Sequence, residues 1–271
     1  MSTLNQVSPD WLVVRAAVDA RTRSTGLVEQ LADILPPGPQ VVHDLGSGTG
    51  AMMRWLAPQL SGPQHWVLHD GDPGILEHRD PDPVLDAGGR AVIIRTSVEH
   101  IADLDTAAID GATLVVASAL LDVITAGEAS TIIDACIAVG APVLFSLTVA
   151  GRVEFDPPHE ADQVFATAFN AHQRRTADGR SLLGPDAVGA VKQLLRAAGW
   201  HVRTVGTPWD LTSLDGVLIV EWLDGWLAAA VEQEPALREL ADEYRANRGR
   251  QLAAGALRVV VHHRDVLAWP A

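Results

Sequence analysis

The segment Asp44-Leu45-Gly46-Ser47-Gly48-Thr49-Gly50 sets an acid two residues ahead of three glycines at alternate positions. Glycine has no Cβ, so such a turn can take positive φ and let a ligand lie against bare backbone. A second acidic turn follows at Asp70-Gly71-Asp72-Pro73-Gly74. A carboxylate at the end of a strand can accept both hydroxyls of a ribose. Gly71 leaves space beside it, and Pro73 suits the first turn of a helix. The dinucleotide pattern G-x-G-x-x-G/A can be laid over Gly46, Gly48 and Ala51. Asp44 works against that assignment, because a turn that hugs an anionic pyrophosphate has no use for a carboxylate. A cationic ligand suits it better.

These residues need strand ends to hold them. Gln40 to Leu45 is an apolar run, and helical spacing begins at Ala51, with free N–H groups facing the turn. A second strand is expected over His65–Asp70, a third over Ala91–Arg95, a fourth over Ala112–Ala117 and a fifth over Ala141–Thr148. Gly127 to Val139 reads as a helix, and Arg152 to Phe155 as a short extension. Alternation of strand and helix from 40 to 148 predicts a parallel, doubly wound sheet. Helices are also expected over 10–35, with Gly26 a point of division, over 160–176, from 185 to about 199, over 215–231 and over 235–254. Strands follow at Trp200–Val205 and Ala256–His263.

The chain has 271 residues, nearly half of them apolar, which is enough for a large α/β core. Its net charge is −14, and Lys192 is the sole lysine. Phosphate backbones repel such a chain, which argues against a nucleic-acid partner. Cys136 is the only cysteine and lies in an apolar helical pattern, so it reads as a packing thiol. No apolar run reaches membrane-spanning length. A cytoplasmic monomer or homodimer without a membrane partner is expected. Adjacent His262 and His263 point to opposite faces of a strand and make a poor metal pair, so no metal site is expected.

The glycine turn with its leading acid resembles the first motif of class I S-adenosylmethionine-dependent methyltransferases. The Asp70 turn resembles their second. The resemblance covers roughly residues 40–205 and the last strand. It implies an α/β, doubly wound, mainly parallel seven-stranded sheet in the order 3-2-1-4-5-7-6, with strand 7 antiparallel. The chain is expected to be a single domain over 1–271: a cofactor-binding half (40–150), with an N-terminal helical cap (1–39) and helical lid insertions (151–183 and 214–254) that are read from pattern alone. The cofactor would be S-adenosylmethionine. Gly46, Ser47, Gly48 and Gly50 would hold its methionine part, with Asp44 near the ammonium and Asp70 and Gly71 at the ribose. Ser97, Val98 and Ser118 would border adenine and sulfur. Arg15 or Arg21 of the cap could reach a carboxylate.

The acceptor is expected to be a small molecule. The segment around Phe169, Asn170, His172 and Gln173 mixes aromatics with directed polar groups, as a substrate lid does. Asp122 after the fourth strand, and Trp222 paired with Trp226 at helical spacing, are further candidate contacts. His172 and then His159 are the candidate bases, since a neutral imidazole takes a proton near pH 7. Two rivals remain: a non-catalytic S-adenosylmethionine-binding protein, and an NAD-dependent oxidoreductase, which Asp44 disfavours.

Overall fold

A computed structural model of the chain describes residues 8–177 and 179–271. Helices α1 (Pro9–Thr22) and α2 (Thr25–Ile34) come first. The break between them falls at Ser24, ahead of Gly26. Extended backbone at Ser24 lets its hydroxyl accept the Leu27 N–H at 3.2 Å and start a second helix. Then come β1 (Gln40–Leu45), α3 (Ala51–Leu56), β2 (Gln64–Asp70), α4 (Pro73–Glu77), β3 (Ile93–Val98) and β4 (Leu114–Ser118). The chain continues through α5 (Ala126–Val139), β5 (Val143–Asp156) and α6 (Asp162–Gln173). A hairpin of β6 (Thr176–Ala177) and β7 (Arg180–Ser181) follows. It ends with α7 (Ala187–Ala197), β8 (His201–Gly206), β9 (Trp209–Leu211), α8 (Gly216–Gln233), α9 (Arg238–Ala253) and β10 (Arg258–Trp269).

The main sheet runs β3-β2-β1-β4-β5-β10-β8. The first five strands pair parallel, and β10 is antiparallel to both β5 and β8. This is the order 3-2-1-4-5-7-6 with one addition. Short β9 pairs with Val259–Val261 of β10, making eight strands where seven were expected. Three strands also differ in extent. β5 carries on through the expected extension as one strand of 14 residues. β10 reaches Trp269 because its second half has β8 as a partner. β3 begins and ends later than its apolar run, at Ile93 and Val98, because its register is set by β2, where Asp70 stands opposite Val98.

Strands β1 and β4 lie at the centre and are buried on both faces, as their near-continuous apolar sequence requires. One face is covered by α5 and α7, with Ile132, Ile133, Cys136 and Val191 in its core. The other is covered by α2 and α3, around Leu31, Met53 and Trp66. A third core sits under α1, α6, α8 and α9. There Phe165 lies 4.9 Å from Tyr244, and Phe155 lies 5.6 Å from Trp226. Arg248, wholly buried, pairs with Asp162 and donates to Pro157 O at 2.7 Å. Its guanidinium packs 4.5 Å from the Phe155 ring.

Asp265 on β10 joins parts far apart in sequence. It is fully buried, and burial pushes its carboxyl up from the ordinary range. Its oxygens accept from Leu147 N–H (2.8 Å), Thr207 Oγ1 (2.8 Å) and Ser24 N–H (2.9 Å). The junction of α1 and α2 is thereby fixed to the sheet. Among the described residues no helix is long and apolar enough to cross a membrane.

Candidate functional site

The chain reverses its strand order beside β1, which has β2 on one side and β4 on the other. Open α/β sheets bind ligands at the carboxyl ends of such strands. Here the glycine turn stands at that place. Gly46 and Gly48 have φ of +62° and +55°. A Cβ at Gly46 would meet Leu120 Cδ1 at 2.9 Å, and one at Gly48 would meet Leu12 Cδ1 at 3.0 Å. Ser47 N–H donates to His69 O at 2.9 Å, which clips the turn to β2. Gly50 does not line the cleft; at φ +82° it caps α3. Since α3 has only six residues, the bare turn rather than a helix field is what faces a ligand.

Asp70 at the end of β2 is oriented by two backbone donors. Gly48 N–H reaches Oδ2 at 2.9 Å and Asp72 N–H reaches Oδ1 at 3.0 Å. Each oxygen keeps a lone pair for a further donor. Asp44 is different: it is fully buried, and neither oxygen has a hydrogen-bond partner. Burial pushes its carboxyl up to about 8, with Asp70 adding to the shift and Arg23 and the nearby Met53 amide opposing it.

Arg23 follows the last turn of α1 and is 4% exposed. It donates from Nη2 to Ser118 Oγ at 3.0 Å, while Nε and Nη1 have no partner. Its guanidinium lies 5.5 Å from the Trp55 ring. Burial lowers its pKa and Asp19 opposes the shift. These groups border a cleft of about 780 Å³, together with Arg15, His100, Ile101, Leu120 and Arg180.

Asp44, Gly46, Ser47, Gly48, Asp70, Gly71 and Ser118 therefore meet around one space. Ser97 and Val98 do not. They fall inside β3 because that strand runs three residues past its expected end, and Val98 is 61% exposed. His100 and Ile101 take the place expected for them. Gly71 makes that possible, since a Cβ there would stand 2.6 Å from His100 Nδ1. Arg21 turns outward to Asp215 at 2.7 Å, whereas Arg15 and Arg23 line the cleft. Of these, Arg23 was passed over in the sequence. Its signal was only a place in a helical charge pattern.

A second cavity, of about 250 Å³, adjoins the first and shares Trp11, Arg15, Ala119 and Val123 with it. Ala119 and Leu147 line it with φ of +53° and +57°, a left-handed conformation costly for residues with a Cβ. Ala119 N–H donates to Ser146 O at 2.9 Å, and Leu147 N–H is the one held by Asp265. Asp122, Phe169, Asn170, Gln173 and Trp222 all line this cavity. Asn170 Nδ2 donates to Gly151 O at 2.7 Å, while Asp122 Oδ1 and Gln173 Oε1 have no partner. Burial raises the Asp122 carboxyl to about 6, against the pull of Arg15. Trp209, Trp226 and His263 complete the wall. His263 is buried 5.0 Å from the Trp209 ring, its Nδ1 unpartnered, and burial with Arg15 nearby lowers it to about 3.

Neither candidate base lines either cavity. His172 points from α6 to Glu232, Nε2 to Oε2 3.2 Å, and its Nδ1 faces Arg175 at 3.0 Å. Because Arg175 can only donate, Nδ1 accepts and the proton sits on the Glu232 side. The imidazole is thus employed in α6–α8 packing. His159 accepts the Ala161 N–H on Nδ1 at 3.1 Å and lies edge-on to Tyr244, on the far side of the insertion core.

Strand order and cleft position together decide the fold. It is the class I methyltransferase fold. Solved structures similar to this chain include a cyclopropane-fatty-acyl-phospholipid synthase-like protein from Lactobacillus casei, at 16% identity and a TM-score of 0.49, covering 99% of this chain and 96% of the other. Another is an S-adenosylmethionine-dependent methyltransferase from Geobacter sulfurreducens in complex with S-adenosyl-L-homocysteine, at 14% identity and a TM-score of 0.46, covering 98% and 99%. A third is a cyclopropane synthase from Mycobacterium tuberculosis, at 12% identity and a TM-score of 0.47, covering 90% and 83%. No family model and no curated protein sequence matches the chain.

Proposed function

We propose that this protein transfers a methyl group from S-adenosylmethionine to a small molecule held in the second cavity. The observation that carries the proposal is a pair of buried polar side chains in one cleft whose atoms lack partners. Asp44 has no partner for either oxygen, and Arg23 has none for two of its nitrogens. Unpaired buried groups of this kind cost several kcal/mol unless a ligand completes them. A group carrying both an ammonium and a carboxylate answers both needs, and the methionine end of the cofactor is such a group.

Asp44 would take the ammonium and Arg23 the carboxylate. Asp70, already aimed by Gly48 and Asp72, would take the ribose hydroxyls, and His100 with Ile101 would border the adenine. When bound, the cofactor supplies a sulfonium methyl that is electrophilic without further activation. The chain's part is then to hold two reactants in line and to keep water out. Positioning of this kind is worth about 7–11 kcal/mol, against roughly 10²–10⁴-fold from a general base. Trp11, Arg15, Ala119 and Val123 stand where the cavities meet, so the transfer would take place beside them.

A net charge of −14 and a small cavity lined by aromatic rings favour a small acceptor over a nucleic acid. Calorimetric titration with S-adenosylhomocysteine tests the cofactor half of the proposal. Binding that is weakened in Asp70→Ala and in Arg23→Ala is the expected result, and absence of heat with wild-type protein overturns it.

A further inference from the structure

We infer that the methyl acceptor is a planar hydroxyarene and that Asp122 takes its hydroxyl proton during transfer, an inference that rests on the methyl-transfer reading above. The cavity's shape comes first. Trp222 and Trp226 stack on each other 5.5 Å apart at 21°, and Phe169 lies 6.3 Å from Trp226. An apolar cavity of about 150 Å³ is enough for benzene. The roughly 250 Å³ found here suits one substituted ring or a fused pair.

Charge narrows the class. An aromatic wall often serves a cation, but Arg15 already occupies the Trp209 and Trp11 rings, at 5.0 and 5.8 Å. Asp19 holds it there through bonds of 2.7 and 3.3 Å. The guanidinium thus already fills the place of a cation on those rings, and the donors it does not spend on Asp19 favour an acceptor that becomes anionic as it reacts. The other titratable groups lining the cavity are Arg152 from β5 and His262 and His263 from β10. None of them adds a second carboxylate.

Unsatisfied atoms place the reacting group. Asp122 Oδ1 has no partner, and the residue sits next to Val123, which borders both cavities. A hydroxyl bonded to Asp122 therefore lies at the end of the cavity nearest the cofactor cleft. Gln173 Oε1, Trp226 Nε1 and His263 Nδ1 are also unpartnered, and the last two belong to residues 1% and 4% exposed. They offer a ring substituent one donor, one acceptor and one group able to be either. In the step itself the aryl oxygen forms a bond to the methyl carbon. The carbon–sulfur bond breaks with its electron pair left on sulfur, and the hydroxyl proton passes to Asp122. Arg15 stabilises the negative charge that develops on oxygen.

The test uses the full chain saturated with S-adenosylhomocysteine and three probes: 4-nitrophenol, cyclohexanol and benzylamine. We expect 4-nitrophenol to quench tryptophan fluorescence and to bind at least tenfold more tightly than the other two. Trp222→Leu should lower its affinity about tenfold with S-adenosylhomocysteine binding unchanged. In Asp122→Asn the bound probe should ionise at a lower pH than in wild type, because the neighbouring negative charge is gone. Benzylamine or cyclohexanol binding as well as 4-nitrophenol would overturn the inference. So would an unshifted ionisation in Asp122→Asn, or a protein that binds S-adenosylhomocysteine and no 4-nitrophenol. A protein that binds no S-adenosylhomocysteine fails earlier, at the cofactor.

Discussion

The two cavities are built in opposite ways. The first is centred on two short runs, 44–52 and 70–75, at the ends of β1 and β2, where turns fix their place, with α1 and the loops after β3 and β4 around them. The second is gathered from α1, the loop after β4, β5, α6, β9, α8 and β10. A local turn has few alternatives, so chemistry can be read from it directly. A wall made from seven separate segments depends on how helices pack, and no single stretch announces it. The contrast teaches that a fixed donor site and a variable acceptor site can share one sheet because they draw on different parts of the chain.

If the insertions carry a core of their own, Arg248→Ala should give the largest effect. It takes from Asp162 its charged partner, leaving the Tyr244 hydroxyl and the His159 N–H as its donors, and removes the guanidinium from the Phe155 and Tyr244 faces. Breaking such a pair costs about 3–5 kcal/mol, and the low end applies because the Asp162 side chain keeps 20% exposure. Denaturant melts should show this loss. Under saturating S-adenosylhomocysteine the folded fraction should still bind normally, and lost affinity there would merge the two regions into one.

Next in size is Arg23→Ala, expected to weaken cofactor binding by about 2–3 kcal/mol, or roughly 30–150-fold, as for hydrogen bonds to a charged group. Arg21→Ala is its control. That residue makes an exposed pair with Asp215, worth less than about 1 kcal/mol, and affinity should not move. Equal losses in the two variants would remove Arg23 from the site.

A smaller effect follows from Asp44. Its folded-state carboxyl is raised to about 8, so without ligand its contribution to stability is full below the ordinary carboxylate range and is lost as pH rises through about 8. A cationic ammonium needs the ionised form. Binding near neutral pH should therefore release a proton, and affinity should climb by up to about tenfold per pH unit toward 8 before levelling off. Calorimetry in buffers of differing ionisation enthalpy measures the proton directly. Affinity that falls over this range would reverse the role given to Asp44.

The smallest expected effect separates the loop after β3 from the strand itself. Ser97→Ala and Val98→Ala should each leave cofactor affinity within about 0.5 kcal/mol, whereas His100→Ala should not. A tenfold loss in Val98→Ala would return the adenine contact to the strand.

Much of the sheet could be read from composition and periodicity. Strands such as Leu114–Ser118 are apolar on both faces, and glycine punctuates their ends. What escaped was settled by partners elsewhere in the chain. Val98 belongs to β3 only because Asp70 of β2 stands opposite it. His172 has the chemistry of a base, but its Nδ1 accepts from Arg175 and its Nε2 faces the Glu232 carboxylate 3.2 Å away rather than either cavity. Arg23 stands two positions after Arg21 and just past the end of α1, where the chain has left the helix, and it turns inward while Arg21 faces out. His262 and His263 are neighbours on β10, yet both line the second cavity: His263 lies beside the Trp209 ring and His262 pairs with Glu154 at 2.8 Å. The pairing of β10 with β5 shifts register between Val261 and His263, which simple alternation does not foresee.

The carboxylate of Asp265 reaches Ser24 across 241 positions of sequence. Its strand is also the one wedged between β5 and β8. During synthesis, then, the junction of the helices that roof the donor cleft lacks this anchor until 241 further positions have been made. A nascent chain can form its glycine turn early and still be unable to retain a ligand there. Competence arrives late and all at once, and a chain truncated short of that strand should be sticky to chaperones rather than partly active.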